Sequence, residues 1–341
     1  MASGCPRSFR EGSELAGSRC RFPWDRAYAG APLRILFTGG SSFTGLWFIK
    51  ALNEAGHEVV APLRGEPSDY AGGVRGERVR LLEKHANVVW GAPFGGERFV
   101  DVVSKQVFDV LCHHAAQVGD YRSPEFDVAG ALAANTRNAH HVLRLMRDKG
   151  LSKVVLTGSV FEQGEGAGEA PLRAFSPYGL SKGLTSQYFT YWCSVLQISL
   201  GKFVISNPFG PYEEPRFCGY LIKTWKNGLR AGVRTPDYIR DNIHVRLLAN
   251  AYHVFVGGLG NQPGLQRINP SGYVEAQGVF AKRFASEMAK RLGLSCDLEL
   301  SLQTDFSEPR MRVNTDPALA YVGEFDEGAA WDELANYYRA L

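Results

Sequence analysis

A chain of 341 residues, 45% hydrophobic and 21% charged, has the composition of a globular protein with room for one large domain or two joined ones. Its formal net charge is only +3 and its basic residues are scattered, which disfavours nucleic acid as a partner. No stretch approaches the roughly 18 apolar residues of a membrane span. The six cysteines (Cys5, Cys20, Cys112, Cys193, Cys218, Cys296) form no CxxC pair and read as reduced thiols of a cytoplasmic protein.

Met1 to Ala31 is rich in Arg, Gly and Ser and has no clear period. It lacks the apolar core of a secretory signal, and Glu11, Glu14 and Asp25 argue against a transit peptide. It reads as a disordered extension outside the fold.

The next stretch, Arg34-Ile35-Leu36-Phe37-Thr38, is a short apolar run that predicts a buried strand. Gly39-Gly40-Ser41-Ser42-Phe43-Thr44-Gly45 follows, then a helical pattern through Leu46, Phe48, Ile49 and Leu52 that stops at Gly56. His57 to Ala61 is a second strand. Strand, glycine-rich turn, helix and strand make a βαβ unit. The helix N-terminus offers free N–H groups and partial positive charge to a phosphate. Gly39, Ser41, Ser42, Phe43, Thr44 and Gly45 are therefore candidate dinucleotide contacts. An acid at the end of the second strand would bind the ribose 2′-hydroxyl of NAD. Pro62-Leu63-Arg64 stands there instead, and Arg64 leans the expectation to NADP.

Further strands are predicted over Asn87–Trp90, Phe108–Cys112, Ser152–Thr157 and Phe203–Ser206. Ala115 and Ala116, small residues after the second of these, leave room for a cofactor. His113 and His114 are adjacent on extended chain and point to opposite faces, which argues against a shared metal. One helix is expected from about Ala131 to Lys149, carrying Asn135. Beyond Pro211 the pattern loosens into helical stretches near Leu221–Leu229, Leu247–Val256 and Val279–Leu292 joined by turns. The expected architecture is α/β: a Rossmann-type doubly wound parallel sheet over residues 32–211 and a smaller, mainly substrate-binding domain over 212–341, some of whose segments return to the sheet.

Ser176-Pro177-Tyr178-Gly179-Leu180-Ser181-Lys182 opens another helix and sets Tyr178 and Lys182 on one face. A free phenol titrates near pKa ~10. A lysine cation beside it favours the phenolate and makes the pair an acid/base.

These stretches, with FDVLCHHAAQ, LTGS, SNPFGP and IRDNIHV, fall in the order and spacing of the extended short-chain dehydrogenases/reductases. More narrowly, the chain resembles the NAD(P)-dependent epimerase/dehydratases that act on nucleotide sugars. The resemblance implies catalytic roles for Ser159, Tyr178 and Lys182, assisted by Asn135. Tyr178 would move the proton of a sugar hydroxyl and Ser159 would hydrogen-bond the reacting oxygen. Lys182 would hold the nicotinamide ribose, so that Tyr178 and Lys182 also count as cofactor contacts. It further implies a nucleotide-diphospho-sugar substrate held by Asn207, Arg240 and Arg310, with Arg312 as the alternative to Arg310. A homodimer pairing through the Tyr178 helix is also implied.

The chain departs from the family's pattern in three places. Ser42 stands where the middle glycine of the turn belongs. Val160 and Phe161 follow Ser159 where 4,6-dehydratases carry acids. Arg246 and Leu247 replace two acids after His244-Val245. The expected activity is a nucleotide-sugar epimerase acting at C4. The alternative is an NADPH-dependent 4-keto-sugar reductase. A non-catalytic NAD(P)-binding sensor stands third.

Overall fold

The structure is a computed structural model that describes residues 31–341. The reading of the N-terminal stretch, Cys5 and Cys20 lie outside the described residues; the four described cysteines are free.

Seven strands form one sheet: β1 (Arg34–Thr38), β2 (Glu58–Pro62), β3 (Asn87–Val89), β4 (Val110–His113), β5 (Lys153–Ser159), β6 (Ser199–Ile205) and β7 (Gly264–Ile268). Every pairing is parallel, in the order β7-β6-β5-β4-β1-β2-β3. The order reverses between β1 and β4. In such sheets the crevice at the carboxyl ends beside that switch is where ligands bind. The continuous apolar runs of β1, β4 and β5 are explained by helices on both faces.

The helices are α1 (Phe43–Glu54), α2 (Gly73–Leu82), α3 (Glu97–Lys105), α4 (Val128–Asn135), α5 (Ala139–Asp148), α6 (Pro177–Val195), α7 (Phe217–Lys226), α8 (Val245–Gly258), α9 (Gln277–Leu292) and α10 (Glu327–Ala340). On one face α1 and α8 bury Phe48 and Tyr252, which stack 4.1 Å apart. On the other, α3, α5 and α6 bury Phe99, Leu143, Met146 and Phe189. A separate core of Phe209, Trp225, Phe280, Phe284 and Trp331 holds α7, α9 and α10 together.

The single helix expected near 131–149 is two helices. Asn138 breaks it with a left-handed φ of 51°, and its side-chain amide donates to the Gly95 carbonyl at 2.7 Å. Asparagine tolerates this conformation better than most residues. Beyond the main sheet, strand Ile239–His244 pairs with Asn207–Phe209, Tyr273–Ala276 and Met311–Val313. That register sets Arg240 opposite Arg312, and Asn242 opposite Asn207. No helix among the described residues is long and apolar enough to cross a membrane.

Candidate active site

The turn between β1 and α1 is built for close approach. Gly39 has φ +81°, and a Cβ there would lie 2.7 Å from the Ala115 nitrogen at the end of β4. Ser42, in the place of the middle glycine, turns its hydroxyl inward. It donates to the Gly39 carbonyl at 2.9 Å, caps α1 by accepting from Gly45 N at 3.1 Å, and meets His114 Nε2 at 3.0 Å. Phe43, Thr44 and Ser41 are buried. The glycine conformation, the capped helix N-terminus and the small residues Ala115 and Ala116 fit a dinucleotide whose phosphates take backbone N–H donors.

Two buried histidines brace this turn. His114 Nε2 faces Ser42 and Thr44 hydroxyls at 3.0 and 3.1 Å, and Nδ1 faces Thr157 Oγ1 at 3.0 Å. Because the Ser42 proton is given to Gly39, the network assigns the ring proton to Nε2 and makes Nδ1 the acceptor. His113 points to the opposite face. Thr38 Oγ1 accepts from the N–H groups of His114 and Ala115, so its own proton goes to His113 Nδ1, and Nε2 donates to the Asn135 carbonyl at 3.1 Å. Burial and the Lys182 charge push both rings down to about 3, so both are neutral. Among the described residues no group of three or more His, Cys, Asp or Glu is placed to hold a metal ion. The Asn135 side chain accepts from Gln117 N at 2.7 Å and donates to Thr185 Oγ1 at 3.3 Å. It ties α4 to α6 and to the chain after β4.

Tyr178 and Lys182 lie on the first turns of α6, capped by Ser176 with Pro177 behind it. A Cβ on Gly179 would collide with the Phe161 carbonyl, so glycine lets the helix start sit directly on the turn that carries Ser159. Lys182 Nζ donates to the Thr157 carbonyl at 2.6 Å. Ser159 Oγ accepts from Phe161 N at 3.2 Å, which leaves its proton to be given. Tyr178 is half-buried, with Tyr121 and Phe126 edge-on to its ring at 6.0 and 5.9 Å.

The sequence places a lysine where it would lower the phenol, but the structure shows the reverse balance. Burial and the Glu162 carboxylate raise Tyr178 above its ordinary value, opposed by Arg216. Burial lowers Lys182, opposed by Glu162. In this state the phenol is an acid. Its action as a base requires a further positive charge beside it.

Under Ser159 lies a cluster of charges whose geometry the sequence did not reveal. Lys202, on β6, is buried and bridges Glu162 Oε2 at 2.6 Å and Glu165 Oε1 at 2.8 Å. Glu162 Oε1 accepts from Ser159 N at 2.8 Å. Glu165 Oε2 accepts from Asn269 Nδ2 at 3.1 Å, and Arg267 approaches Oε1 at 3.5 Å. All four carboxylate oxygens are thus engaged. A lysine inside an otherwise apolar strand was the one available signal.

The sequence profile of the NAD dependent epimerase/dehydratase family matches residues 35–263. The chain belongs to that family. No curated protein sequence matches it. Among solved structures it is similar to UDP-glucuronic acid 4-epimerase from Bacillus cereus in complex with UDP-glucuronic acid and NAD. The two are 18% identical over 90% of this chain and 99% of that one, with a TM-score of 0.68. It is also similar to UDP-glucose 4-epimerase with UDP-glucose from Thermotoga maritima (17% identical, the same coverages, TM-score 0.68). A third match is UDP-glucose-4-epimerase from Stenotrophomonas maltophila with bound NAD and formylated UDP-arabinopyranose (18% identical, covering 90% of this chain and 98% of that one, TM-score 0.69). At this identity the matches establish a shared fold.

Within this epimerase/dehydratase fold the expected substrate residues are unequally placed. Asn207 is half-buried on the second sheet. Arg240 is buried and engaged: it donates to the carbonyls of Ile239, Pro309 and Arg310 at 3.0 to 3.3 Å and pairs with Glu308 at 2.9 Å. Arg310 is exposed over the Phe306 ring, 4.1 Å from its centroid. Arg312 is buried and donates to the Arg173 carbonyl. The sequence reading missed Arg216, at the start of α7. It lies 5.5 Å from the centroid of Tyr121, the ring that covers Tyr178. Its neighbour Glu213 is pushed up to about 8 by burial, opposed by Arg216.

Proposed function

We propose that this chain is an NAD(P)-dependent nucleotide-sugar epimerase that transiently oxidises a sugar carbinol at C4. The observation that supports the reading is that α6, which carries Tyr178 and Lys182, sits on the carboxyl end of β5 beside Ser159, with Gly179 against the Phe161 carbonyl and Lys182 anchored on Thr157. A carbinol that loses hydride must also lose a proton, and a ketone that regains hydride must regain one. Tyr178 moves that proton. Ser159, its Oγ already accepting from Phe161, gives its own proton to the substrate oxygen. Lys182 stays fixed beside them, its ammonium nitrogen on the Thr157 carbonyl. A bound nicotinamide supplies the hydride acceptor and donor. The turn Gly39–Gly45, Arg64, Ala115, Ala116, Tyr178 and Lys182 would hold that cofactor.

Residues 32–211 serve the cofactor and 212–341 mainly the substrate, with Asn207, Arg240 and Arg310 toward the diphosphate. For Arg240 this means exchanging Glu308 for phosphate, a charge-for-charge swap that its bidentate guanidinium suits. The reading includes a homodimer paired along α6, where Tyr191 and Val195 are exposed, and sedimentation tests it.

A second reading, NADPH-dependent reduction of a 4-keto sugar, is favoured by Arg64 at the end of β2 in place of an acid. Dehydration is disfavoured because Glu162 and Glu165, the acids nearest Ser159 in sequence, are engaged with Lys202.

The test is direct. The purified protein is denatured and any released dinucleotide identified by mass spectrometry. The native protein is then incubated with UDP-glucose and with UDP-glucuronic acid, with and without added cofactor, and the sugar products are resolved. Inversion at C4 with retained cofactor establishes the epimerase. A need for fresh NADPH and a 4-keto sugar establishes the reductase. Turnover unchanged in Tyr178→Phe would refute both.

A further inference from the structure

Ser159 ends β5 in a turn that closes on one side chain. Glu162 reaches back to that serine twice. Its main-chain N–H donates to the Ser159 carbonyl at 3.0 Å, and its carboxylate accepts from Ser159 N through Oε1 at 2.8 Å. Its other oxygen, Oε2, takes Lys202 at 2.6 Å. The backbone makes room for this arrangement. A Cβ on Gly158 would lie 2.8 Å from Lys202 Cε and 3.1 Å from Glu162 Oε1. A Cβ on Gly183, next to Lys182 on α6, would meet Glu162 Cβ at 3.9 Å. Glu162, only 1% exposed, is thus packed between the end of β5, β6 and the part of α6 that carries Lys182.

A brace alone needs no charge there. The turn would close as well on an uncharged acceptor, and a buried ion pair is by itself a weak source of stability. The cluster also holds an excess of charge. Two buried carboxylates, Glu162 and Glu165, face one buried ammonium, Lys202; the further cation, Arg267, approaches Glu165 and is half exposed. One negative charge is left over, and Glu162 is the carboxylate nearer Lys182. The groups that act on Tyr178 and Lys182 come from every side: Glu162 after β5, Lys202 on β6, the neutral rings of His113 and His114 at the end of β4, Tyr121 beyond them, and Arg216 at the start of α7. Glu162 is the one carboxylate among these described groups. Burial raises the Tyr178 phenol and Glu162 adds to it, while burial lowers Lys182 and Glu162 opposes it.

We propose that Glu162 is a positioning residue for the proton transfer: its carboxylate, held in place by Lys202, fixes the Ser159 main chain and sets one buried negative charge beside Lys182 and Tyr178. The proposal rests on the reading of Ser159, Tyr178 and Lys182 as the acid/base set. Glu162 touches no substrate atom in this role. It acts through the serine and through the field at the phenol.

The pH dependence of kcat/KM on UDP-glucose or UDP-glucuronic acid, measured on the full chain with cofactor supplied, separates this role from a brace. Glu162→Gln keeps an acceptor for Ser159 N and removes the charge. It should move the Tyr178 limb of the profile down by about one pH unit, whether that limb reports a phenolate base or a phenol acid. Dinucleotide affinity should change by less than about twofold. Glu165→Gln takes a carboxylate from Lys202 but none from Ser159, and should leave the limb within about 0.3 pH unit. The double variant Lys202→Met, Glu165→Gln removes one charge of each sign and leaves Glu162 without its lysine, so the limb should move up. A fall in rate with an unmoved limb in Glu162→Gln would overturn the proposal and make Glu162 a brace only. Equal shifts in Glu162→Gln and Glu165→Gln, or a downward shift in the double variant, would overturn it too. An unaltered protein that turns over neither sugar would take down the acid/base reading and this proposal together.

Discussion

The two ends of this site are held by opposite means. Around the glycine-rich turn the buried network is neutral: Ser42, Thr44, Thr38, Thr157 and two uncharged histidines share protons. Around Ser159 it is charged: Glu162, Glu165 and Lys202 lie buried there with Lys182. Thr157 joins the two, its hydroxyl bonded to His114 and its carbonyl to Lys182. In a hydroxyl–imidazole network the loss of one bond costs about 1 kcal/mol where the freed group keeps another partner. A buried charge cluster is stable only while every partner is present, because an abandoned charge bears its full desolvation cost. The first arrangement gives a rigid cradle of fixed shape. The second includes Glu162, whose carboxylate adds to burial in raising the Tyr178 phenol.

The comparison predicts that the largest effects come from the charged end. Tyr178→Phe should cut turnover of the active nucleotide sugar by about 10²- to 10⁴-fold while dinucleotide affinity stays the same. A loss of affinity of the same size would move Tyr178 from chemistry to binding. Lys202→Met should lower unfolding free energy by about 3–5 kcal/mol in urea titrations, since it abandons two carboxylates. Glu162→Gln should cost less, because Glu165 still pairs with Lys202. If the two substitutions cost the same, the cluster is not the interlocked unit that its distances describe.

Acid is expected to attack the neutral end instead. His113, His114 and His244 are held near 3 by burial, whereas an unfolded histidine titrates near 6.5. Between those values the unfolded chain binds protons that the folded chain does not. Stability therefore falls as pH drops from about 6.5, by up to about 1.4 kcal/mol per pH unit for each ring. Asp241 acts in the opposite sense. Burial raises it to about 6, opposed by the hydrogen bonds that it accepts from Gly272 N and Asn314 N. Its contribution is present below the unfolded value of about 3.9 and is lost as pH rises through about 6. Glu213, raised to about 8, acts in the same sense as Asp241, and the three histidines still outweigh the two carboxyls, so the net loss is on the acid side. Urea midpoints at pH 4, 5, 6 and 7 check the sign. Asp241→Asn should steepen the decline and His114→Gln should flatten it.

The neutral end was the legible one. A glycine turn, a helix cap and small residues after a strand leave short-range marks in sequence, and all lie near Gly39–Gly45 or Ala115. Tyr178 and Lys182 were legible for the same reason, being one helical turn apart. The charged end draws on residues from β5, β6 and the Asn269 segment, far apart along the chain. Nothing in the sequence places Glu162 and Glu165 against Lys202; the sheet does so by setting β6 beside β5. β7 was missed because it lies at an edge, with three of its five residues exposed and Gln266 and Arg267 interrupting the apolar run expected of a parallel strand. Arg240 was read as open to phosphate, and only the structure shows the Glu308–Arg310 segment already bonded to it.

The smallest predicted effect bears most closely on the neutral end. Ser42→Gly restores the family's middle glycine and removes three hydrogen bonds at once, to Gly39, Gly45 and His114. Glycine is itself an acceptable N-cap, costing only a few tenths of a kcal/mol against serine. His114 keeps Thr44 as a partner on the same nitrogen. The expected loss is therefore below about 1 kcal/mol, a shift of a few degrees at most in thermal unfolding for a chain of this size. A larger loss would show that the Ser42 hydroxyl holds the His114 ring itself, and through Thr157 the Lys182 ammonium. The two ends would then be one cooperative network, and a change in the cofactor turn would be felt at Tyr178.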